Sequence, residues 1–236
     1  MSGDIKDAPQ ILGDFSVHNI AHSKLVDNLL VFRTSINQFY WVPNITSNPV
    51  SSMFEYIPRL ATVQISDYLV IPKNVSGSKS LELIITDPNE GLHLVTTSAK
   101  PGSNIIYLKE TMSHQESKGT AANEGFGKIT YMSLNAKKDL LAFYAEADKK
   151  GRMIVLKSDL SKEFNRMDTK LTDAKQLAWC GNDITILAYP DKIILVGPNQ
   201  YEILDMRTKT GGIKILNEID GLRVVSAEKT YFLERV

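Results

Sequence analysis

The fold is decided by the segment Lys175–Val236, which begins KQLAWCGNDITILAYPDKIILVGPNQYEILD. Its short apolar runs are rich in Ile, Val, Leu and Tyr and are separated by Gly, Pro, Asn or Asp. They cover Ile184–Tyr189, Lys192–Val196, Gln200–Asp205, Gly212–Glu218 and Gly221–Ser226. Runs of this length and composition predict antiparallel β-strands joined by tight connections.

The same pattern recurs upstream, so the chain contains an internal repeat. Apolar runs begin about 38–57 residues apart, close to the roughly 40–50 residues of a four-stranded propeller blade. The starts of these runs are Leu29, Leu83, Leu140, Ile184 and Leu222. We therefore predict an all-β protein, a WD40-like β-propeller region over residues 1–236, with about four blades of four antiparallel strands in an incomplete ring. More than about 35% of the residues should be in strands and fewer than about 15% in helices, compared with a usual strand share of about 20–25%.

Two blades are clearest, and two other segments fit the strand pattern less well. The clear blades lie at Lys138–Asp159 and Leu81–Thr96. The polar, glycine-containing segment Glu110–Gly127 has few apolar residues, which predicts a long mobile loop. In Leu160–Leu171 the apolar residues follow a helical spacing. Because each blade needs an outer strand at this point, we instead predict a strand around Glu163–Asp168.

Composition excludes several classes of protein. Lys plus Arg and Asp plus Glu both number 27, so the net charge is zero. This argues against binding to nucleic acid or to acidic membranes through bulk charge, and no run of Lys and Arg indicates a local basic patch. No segment approaches the roughly 18 apolar residues of a transmembrane span. The start, Met1–Asp7, lacks the pattern of a signal peptide, and the single cysteine, Cys180, excludes an internal disulfide; both favour a reduced, cytoplasmic compartment.

The histidines and the cysteine give no candidate for chemistry. His18 and His22 stand four residues apart, a spacing that binds metal on a helix, but they lie in an apparent strand without Cys or acidic partners. His93 lies in an apolar strand and His114 in the polar segment, and neither has a nucleophile nearby. Cys180 is expected to be a small buried hydrophobic residue.

The glycines and aspartates of the turns also have structural explanations. Gly125–Gly127 and the pair Gly211 and Gly212 do not link a strand to a helix as a phosphate-binding loop requires, so they are expected to be turn glycines. Asp139 and Asp183 precede equivalent apolar runs and are expected to cap turns rather than act as a catalytic pair. We predict no catalytic, cofactor-binding or metal-ligating residue, no cofactor and no enzymatic activity.

Several motifs resemble one known family. They are Lys175–Cys180, the strand pairs Asp183–Tyr189 with Lys192–Gly197 and Asn28–Phe32 with Gln38–Tyr40, and the closing segments Glu218–Ser226 and Phe232–Val236. Together they resemble the later part of the N-terminal β-propeller of the vacuolar protein sorting protein 16 family. The resemblance covers most of the chain and is strongest after Lys175.

The resemblance implies a function in membrane traffic. Members of this family are core subunits of the HOPS and CORVET tethering complexes, which act in protein transport and membrane fusion at endosomes and at the lysosome or vacuole. The implied role is a non-catalytic scaffold whose partners are other tethering-complex subunits, peripheral on the late endosomal, lysosomal or vacuolar membrane through the complex. No binding of nucleic acid and no insertion into the membrane are expected.

The resemblance also implies what the chain lacks. In the family a C-terminal α-solenoid follows the propeller and carries the contact with the Sec1/Munc18-type subunit. This chain stops at Val236, so the solenoid is expected to be absent, as are the opening blades. A stand-alone small β-propeller that binds a peptide remains the alternative. An enzymatic propeller would require carboxylates or metal ligands that the sequence does not provide.

Overall fold

A computed structural model of the chain describes residues 20–26, 28–47, 52–54, 64–87, 91–96, 105–107, 128–147, 149–198, 200–206, 212–218 and 220–234. All regular secondary structure in these ranges is β-strand, and none of the described residues is helical. The described strands alone exceed the predicted share of about 35% of the chain, which is well above the usual proportion. The all-β prediction is confirmed.

The strands form five antiparallel sheets, which we call blades 1 to 5. Blade 1 contains β1 (Ile20–Val26), β2 (Leu29–Thr34), β3 (Phe39–Val42) and β4 (Ser52–Met53). Blade 2 contains β5 (Asp67–Ile71), β6 (Glu82–Asp87), β7 (Gly91–Thr96) and β8 (Ile105–Tyr107). Blade 3 contains β9 (Lys128–Leu134), β10 (Leu140–Ala147), β11 (Lys150–Lys157) and β12 (Glu163–Thr169). Blade 4 contains β13 (Gln176–Cys180), β14 (Ile184–Ala188), β15 (Lys192–Val196) and β16 (Tyr201–Asp205). Blade 5 contains β17 (Ile213–Asn217), β18 (Gly221–Ser226) and β19 (Thr230–Glu234).

The five run starts that define the predicted repeat occupy the same position in each blade. Leu29, Leu140 and Ile184 are the first residues of β2, β10 and β14, while Leu83 and Leu222 are the second residues of β6 and β18. All five are therefore at the start of the second strand of a blade. The prediction of about four four-stranded blades is confirmed, and a fifth sheet with three described strands follows them.

The segment with a helical spacing of apolar residues is a strand. β12 covers Glu163–Thr169 and pairs with β11 through Met153 opposite Met167, so the predicted outer strand is confirmed. Leu160 lies before the strand in a turn, with φ of 62°. Pairing with β11 overrides the local helical spacing because it fixes the segment as a strand and gives partners to the backbone groups that face β11. The predicted loop Glu110–Gly127 lies outside the described residues.

The core lies between neighbouring blades, and β10 shows how it is built. Leu141 to Ala145 are all fully buried. Leu141, Phe143 and Ala145 pack in a cluster with Leu69 and Ile84 of blade 2. The alternate residues Ala142 and Tyr144 pack in a cluster with blade 4. A strand between two blades buries both of its faces, which explains the nearly continuous apolar run in its sequence.

Candidate interaction surfaces

The first strands of the blades meet at the centre of the ring. β5 contacts β9, β9 contacts β13, and β13 contacts β17. Two polar side chains on these strands, those of Asp67 and Gln176, bind the backbone or a charged group of a neighbouring blade. They hold the blades in register around the centre.

Asp67 links three blades. Its Oδ1 accepts a hydrogen bond from Lys24 Nζ of blade 1 at 2.7 Å, and its Oδ2 accepts one from the backbone N–H of Met132 in blade 3 at 3.3 Å. Asp67 is itself the first residue of β5, the inner strand of blade 2. Lys24 and Met132 are 43 and 65 residues away in sequence, so no local pattern marks this aspartate as a structural link.

Gln176 joins blades 4 and 5 through both ends of its amide. Its Nε2 donates to the Ile215 carbonyl oxygen at 2.7 Å, and its Oε1 accepts from the Ile215 N–H at 2.9 Å. This pair of bonds satisfies both backbone groups of one residue, as a neighbouring strand would. No pattern in the sequence indicates this role for Gln176.

Trp179 and Cys180 occupy two different interfaces between blades. Only 5% of Trp179 is exposed; it packs at the interface of blades 3 and 4, and its Nε1–H donates to the Ser133 carbonyl oxygen at 2.9 Å. Cys180 is 7% exposed and packs at the interface of blades 4 and 5 with Ile213 and Leu222. Successive residues of a strand point to opposite faces, so one dipeptide stabilises both interfaces. The burial predicted for Cys180 is confirmed.

A buried polar cluster also joins blades 3 and 4. The Tyr144 hydroxyl lies 3.2 Å from Glu146 Oε1 and 3.3 Å from the Leu171 carbonyl oxygen, and either oxygen can accept its hydrogen bond. The Thr169 hydroxyl bonds to the same carbonyl oxygen at 2.7 Å and lies 3.3 Å from the Tyr189 hydroxyl. Burial, and secondarily the hydrogen bond to Tyr189, raises the pKa of Tyr144 far above that of an exposed tyrosine. The Tyr144 phenol is therefore neutral at physiological pH, and the cluster links the two blades.

Blade 5 leaves one of its faces open. Ile213, Ile215 and Leu222 pack against blade 4. On the other face Leu216 is 52% exposed and Phe232 is 40% exposed. By contrast, the side of blade 1 that carries Phe32, Tyr40 and Val42 is buried. The ring is therefore incomplete at blade 5.

The open face of blade 5 is partly covered by a charged pair. The Arg223 guanidinium lies over the Phe232 ring, 5.5 Å from its centroid, and also forms an ion pair with Glu218. The bond to Glu218 raises the pKa of Arg223 and lowers the pKa of Glu218. These groups replace some of the packing that a neighbouring blade provides elsewhere.

The outer strand of blade 4 presents a smaller apolar surface. Tyr201 is 59% exposed and Ile203 is 51% exposed, on the same face of β16. A hydrogen bond links blade 4 to blade 3: Asn165 Nδ2 of blade 3 donates to the carbonyl oxygen of Gly197, which follows β15, at 3.3 Å. Surface pairs of this size are common on proteins and do not by themselves identify a binding site.

The residues considered for chemistry lie on different strands or outside the described residues. In the part of the chain that the structure describes, no group of three or more His, Cys, Asp or Glu side chains is placed to hold a metal ion. His22 lies in β1 and His93 in β7, whereas His18 and His114 are outside the described residues.

The two turn aspartates lie at equivalent positions before the second strand of blades 3 and 4. The Asp139 carboxylate accepts a hydrogen bond from Asn135 Nδ2 at 2.7 Å within its own turn, which fits the structural role predicted for it. Asp183 ends the turn before β14. Gly212 has φ of 71°, which fits the turn role predicted for it, while Gly211 and Gly125–Gly127 are outside the described residues.

The fold and these surfaces define a class of protein, a β-propeller whose described residues provide binding surfaces and structural links between blades. Among solved structures, the Dos1 propeller is similar, with a TM-score of 0.56 and 16% identity over 91% of this chain and 58% of that chain. The model of the family described as Vps16, N-terminal region, matches residues 35–236. The chain belongs to this family.

Curated relatives support the assignment to the family. A probable vacuolar protein sorting-associated protein 16 homolog of Schizosaccharomyces pombe is 28% identical over 155 residues, 63% of this chain and 17% of the relative. The vacuolar protein sorting-associated protein 16 homolog of Dictyostelium discoideum is also 28% identical, over 95% of this chain and 25% of the relative. The chain thus spans at most about a quarter of the length of these relatives. A search of the described residues finds no helix long and apolar enough to cross a membrane.

Proposed function

We propose that the chain is a non-catalytic scaffold for vacuolar protein sorting, within tethering complexes of the HOPS and CORVET type. The observation that carries this proposal is the match of residues 35–236 to the N-terminal region of the Vps16 family. Its partners are other tethering-complex subunits, and it is peripheral on the late endosomal, lysosomal or vacuolar membrane through the complex.

The physical properties of the blades support a scaffold. Buried clusters lie between each pair of neighbouring blades. Asp67 and Gln176 add polar links at the centre of the ring. The buried clusters between blades and the polar links at the centre of the ring together keep the surface in one geometry. A rigid surface loses less conformational entropy when a partner binds. A scaffold requires this property, whereas catalysis requires convergent reactive groups.

The proposal is tested by affinity purification of the tagged 236-residue chain from cell extract that contains both tethering complexes. We expect tethering-complex subunits to be recovered. The Sec1/Munc18-type subunit should be absent when the other subunits are removed by a salt wash, because the solenoid carries that contact in the family. Failure to recover any tethering subunit with a folded chain would refute the proposal. Direct recovery of the Sec1/Munc18-type subunit would show that its contact lies in the blades.

The alternative, a stand-alone small propeller, makes a different prediction for the purified chain. A closed ring leaves few unpaired surfaces, whereas an open blade tends to associate with other molecules. The exposure of Leu216 and Phe232 on blade 5 disfavours a closed ring. We therefore expect self-association in analytical ultracentrifugation. A monodisperse monomer with cooperative unfolding would favour the alternative.

A further inference from the structure

Four turns at one end of blades 2 to 4 form a continuous surface. The Ser158 hydroxyl donates to the Val75 carbonyl oxygen at 3.4 Å, and the Ser158 N–H donates to the Asp139 carbonyl oxygen at 2.9 Å. Asn135 Nδ2 donates to the Asn182 carbonyl oxygen at 3.0 Å. These bonds join turns from three different blades into one surface, which we call the lysine face. Its turns are residues 72–80, 157–162, 135–139 and 181–183.

The lysine face carries a positive charge that the whole chain does not have. Its turns contain six lysines and three aspartates, a net charge of +3, in a chain whose formal net charge is zero. The lysines are Lys73, Lys79, Lys137, Lys138, Lys157 and Lys162. All are exposed except Lys138, which is half-buried. In the sequence they are never more than two in a row, so only the fold brings them to one end of the molecule.

Ion pairs neutralise little of this charge. Of the six lysines, Lys157 bonds to Asp159 at 2.6 Å. Lys73, Lys79 and Lys137 form no ion pair with any described residue. At the opposite ends of the same blades, three basic groups form ion pairs. These pairs are Arg152 with Asp168, Lys175 with Asp173, and Lys192 with Asp191.

We propose that the lysine face binds directly to a membrane surface that contains anionic lipids. The cations stand on three separate turns rather than converging on a pocket, and every one is lysine. Bidentate recognition of a single phosphate or carboxylate favours arginine, whereas dispersed lysines suit the diffuse potential of an acidic bilayer.

An exposed aromatic residue strengthens the choice of a lipid surface over an acidic protein segment. Phe164 lies two residues beyond the turn 157–162 and is exposed, with Lys162 Nζ 4.9 Å from the centre of its ring. Ile184 directly follows the turn 181–183 and is also partly exposed. Basic groups beside exposed apolar side chains are typical of proteins that bind at the interface of a membrane.

The test is sedimentation of the purified 236-residue chain with vesicles. Phosphatidylcholine vesicles are compared with phosphatidylcholine vesicles that contain phosphatidylserine, at low and at high salt. The test variant combines Lys73→Gln, Lys79→Gln and Lys137→Gln. The control variant combines Lys149→Gln, Lys150→Gln and Lys170→Gln, which removes the same charge from exposed lysines at the opposite end of the strands. All six side chains are exposed, so both variants should fold.

We expect binding only to the vesicles with phosphatidylserine, and weaker binding as the salt concentration rises. Each lysine removed from the lysine face should lower the partition coefficient about fivefold, so the test variant should lose about a hundredfold. The control variant should bind as the unchanged chain does. Equal losses in both variants, or no binding of the unchanged chain, would overturn the proposal. Binding of polyglutamate through the same lysines without binding to vesicles would assign the face to an acidic protein segment instead.

These results are independent of the proposed function, because the isolated chain is tested without other subunits. A chain that fails to bind vesicles could still assemble with tethering subunits. Conversely, a chain that binds vesicles could fail to recover any subunit. The outcome of either experiment therefore does not decide the outcome of the other.

Discussion

Replacement of Trp179 with alanine should strongly destabilise the interface of blades 3 and 4. A tryptophan buries roughly 150–250 Å², and at about 25 cal/mol per Å² this area corresponds to about 4–6 kcal/mol. This range is an upper bound, because the unfolded chain already buries part of its apolar surface. Measured truncations of large aromatic residues cost about 3–5 kcal/mol. We therefore expect Trp179→Ala to lower the free energy of unfolding by about 4 kcal/mol.

The indole N–H provides a second part of the effect, which a smaller substitution can separate. Its bond to the Ser133 carbonyl oxygen is 2.9 Å long. Trp179→Phe keeps an aromatic ring but loses this bond and leaves a buried acceptor without its partner, a cost of about 1–3 kcal/mol. This variant should lie between the unchanged chain and Trp179→Ala, and it remains measurable if the alanine variant does not fold.

The assay is urea unfolding followed by far-ultraviolet circular dichroism, since the substitutions remove one of the two tryptophans and alter fluorescence. Phe232→Ala is the matched control, because Phe232 is an aromatic residue on the open face of blade 5. We expect a loss of about 1 kcal/mol or less for the control. A loss of similar size for Trp179→Ala and Phe232→Ala would refute the assignment of Trp179 to the core.

Three further predictions concern the interfaces between blades. Gly151→Ala should cost about 2–3 kcal/mol in urea unfolding, because a Cβ atom would collide with the Leu171 carbonyl oxygen and the Tyr144 hydroxyl; a neutral substitution would mean that the polar cluster is not packed as described. The pKa of Tyr144 is raised in the folded state, so its contribution to stability is complete below pH 10 and declines by up to about 1.4 kcal/mol per pH unit above it. The difference in stability between the unchanged chain and Tyr144→Phe should therefore shrink as the pH rises above 10, and a constant difference would contradict the neutral buried phenol. Cys180 should react slowly with a bulky disulfide reagent until the chain unfolds, and Cys180→Ser should retain partner binding; rapid labelling of the native chain would contradict its burial.

The strands and their grouping into blades could be predicted from the sequence. Short apolar runs and the turn residues between them are local features, so they can be recognised directly in the order of residues along the chain. The five run starts, from Leu29 to Leu222, proved to be one structural position repeated in every blade. The strand Glu163–Thr169 was also predictable, but only because the repeat required it against the helical spacing of its own residues.

The contacts between residues of different blades could be found only from the folded chain. Asp67 binds groups 43 and 65 residues away, and Gln176 binds Ile215, 39 residues away. The lysine face likewise unites four turns that are separated in the chain and contain no basic run. Side chains at such distances are brought together by the curvature of the ring and the packing of whole sheets. The spacing of neighbouring residues in the sequence does not indicate these contacts. Each contact depends on how two strands or turns are aligned with each other, and not on the secondary-structure propensity of either one.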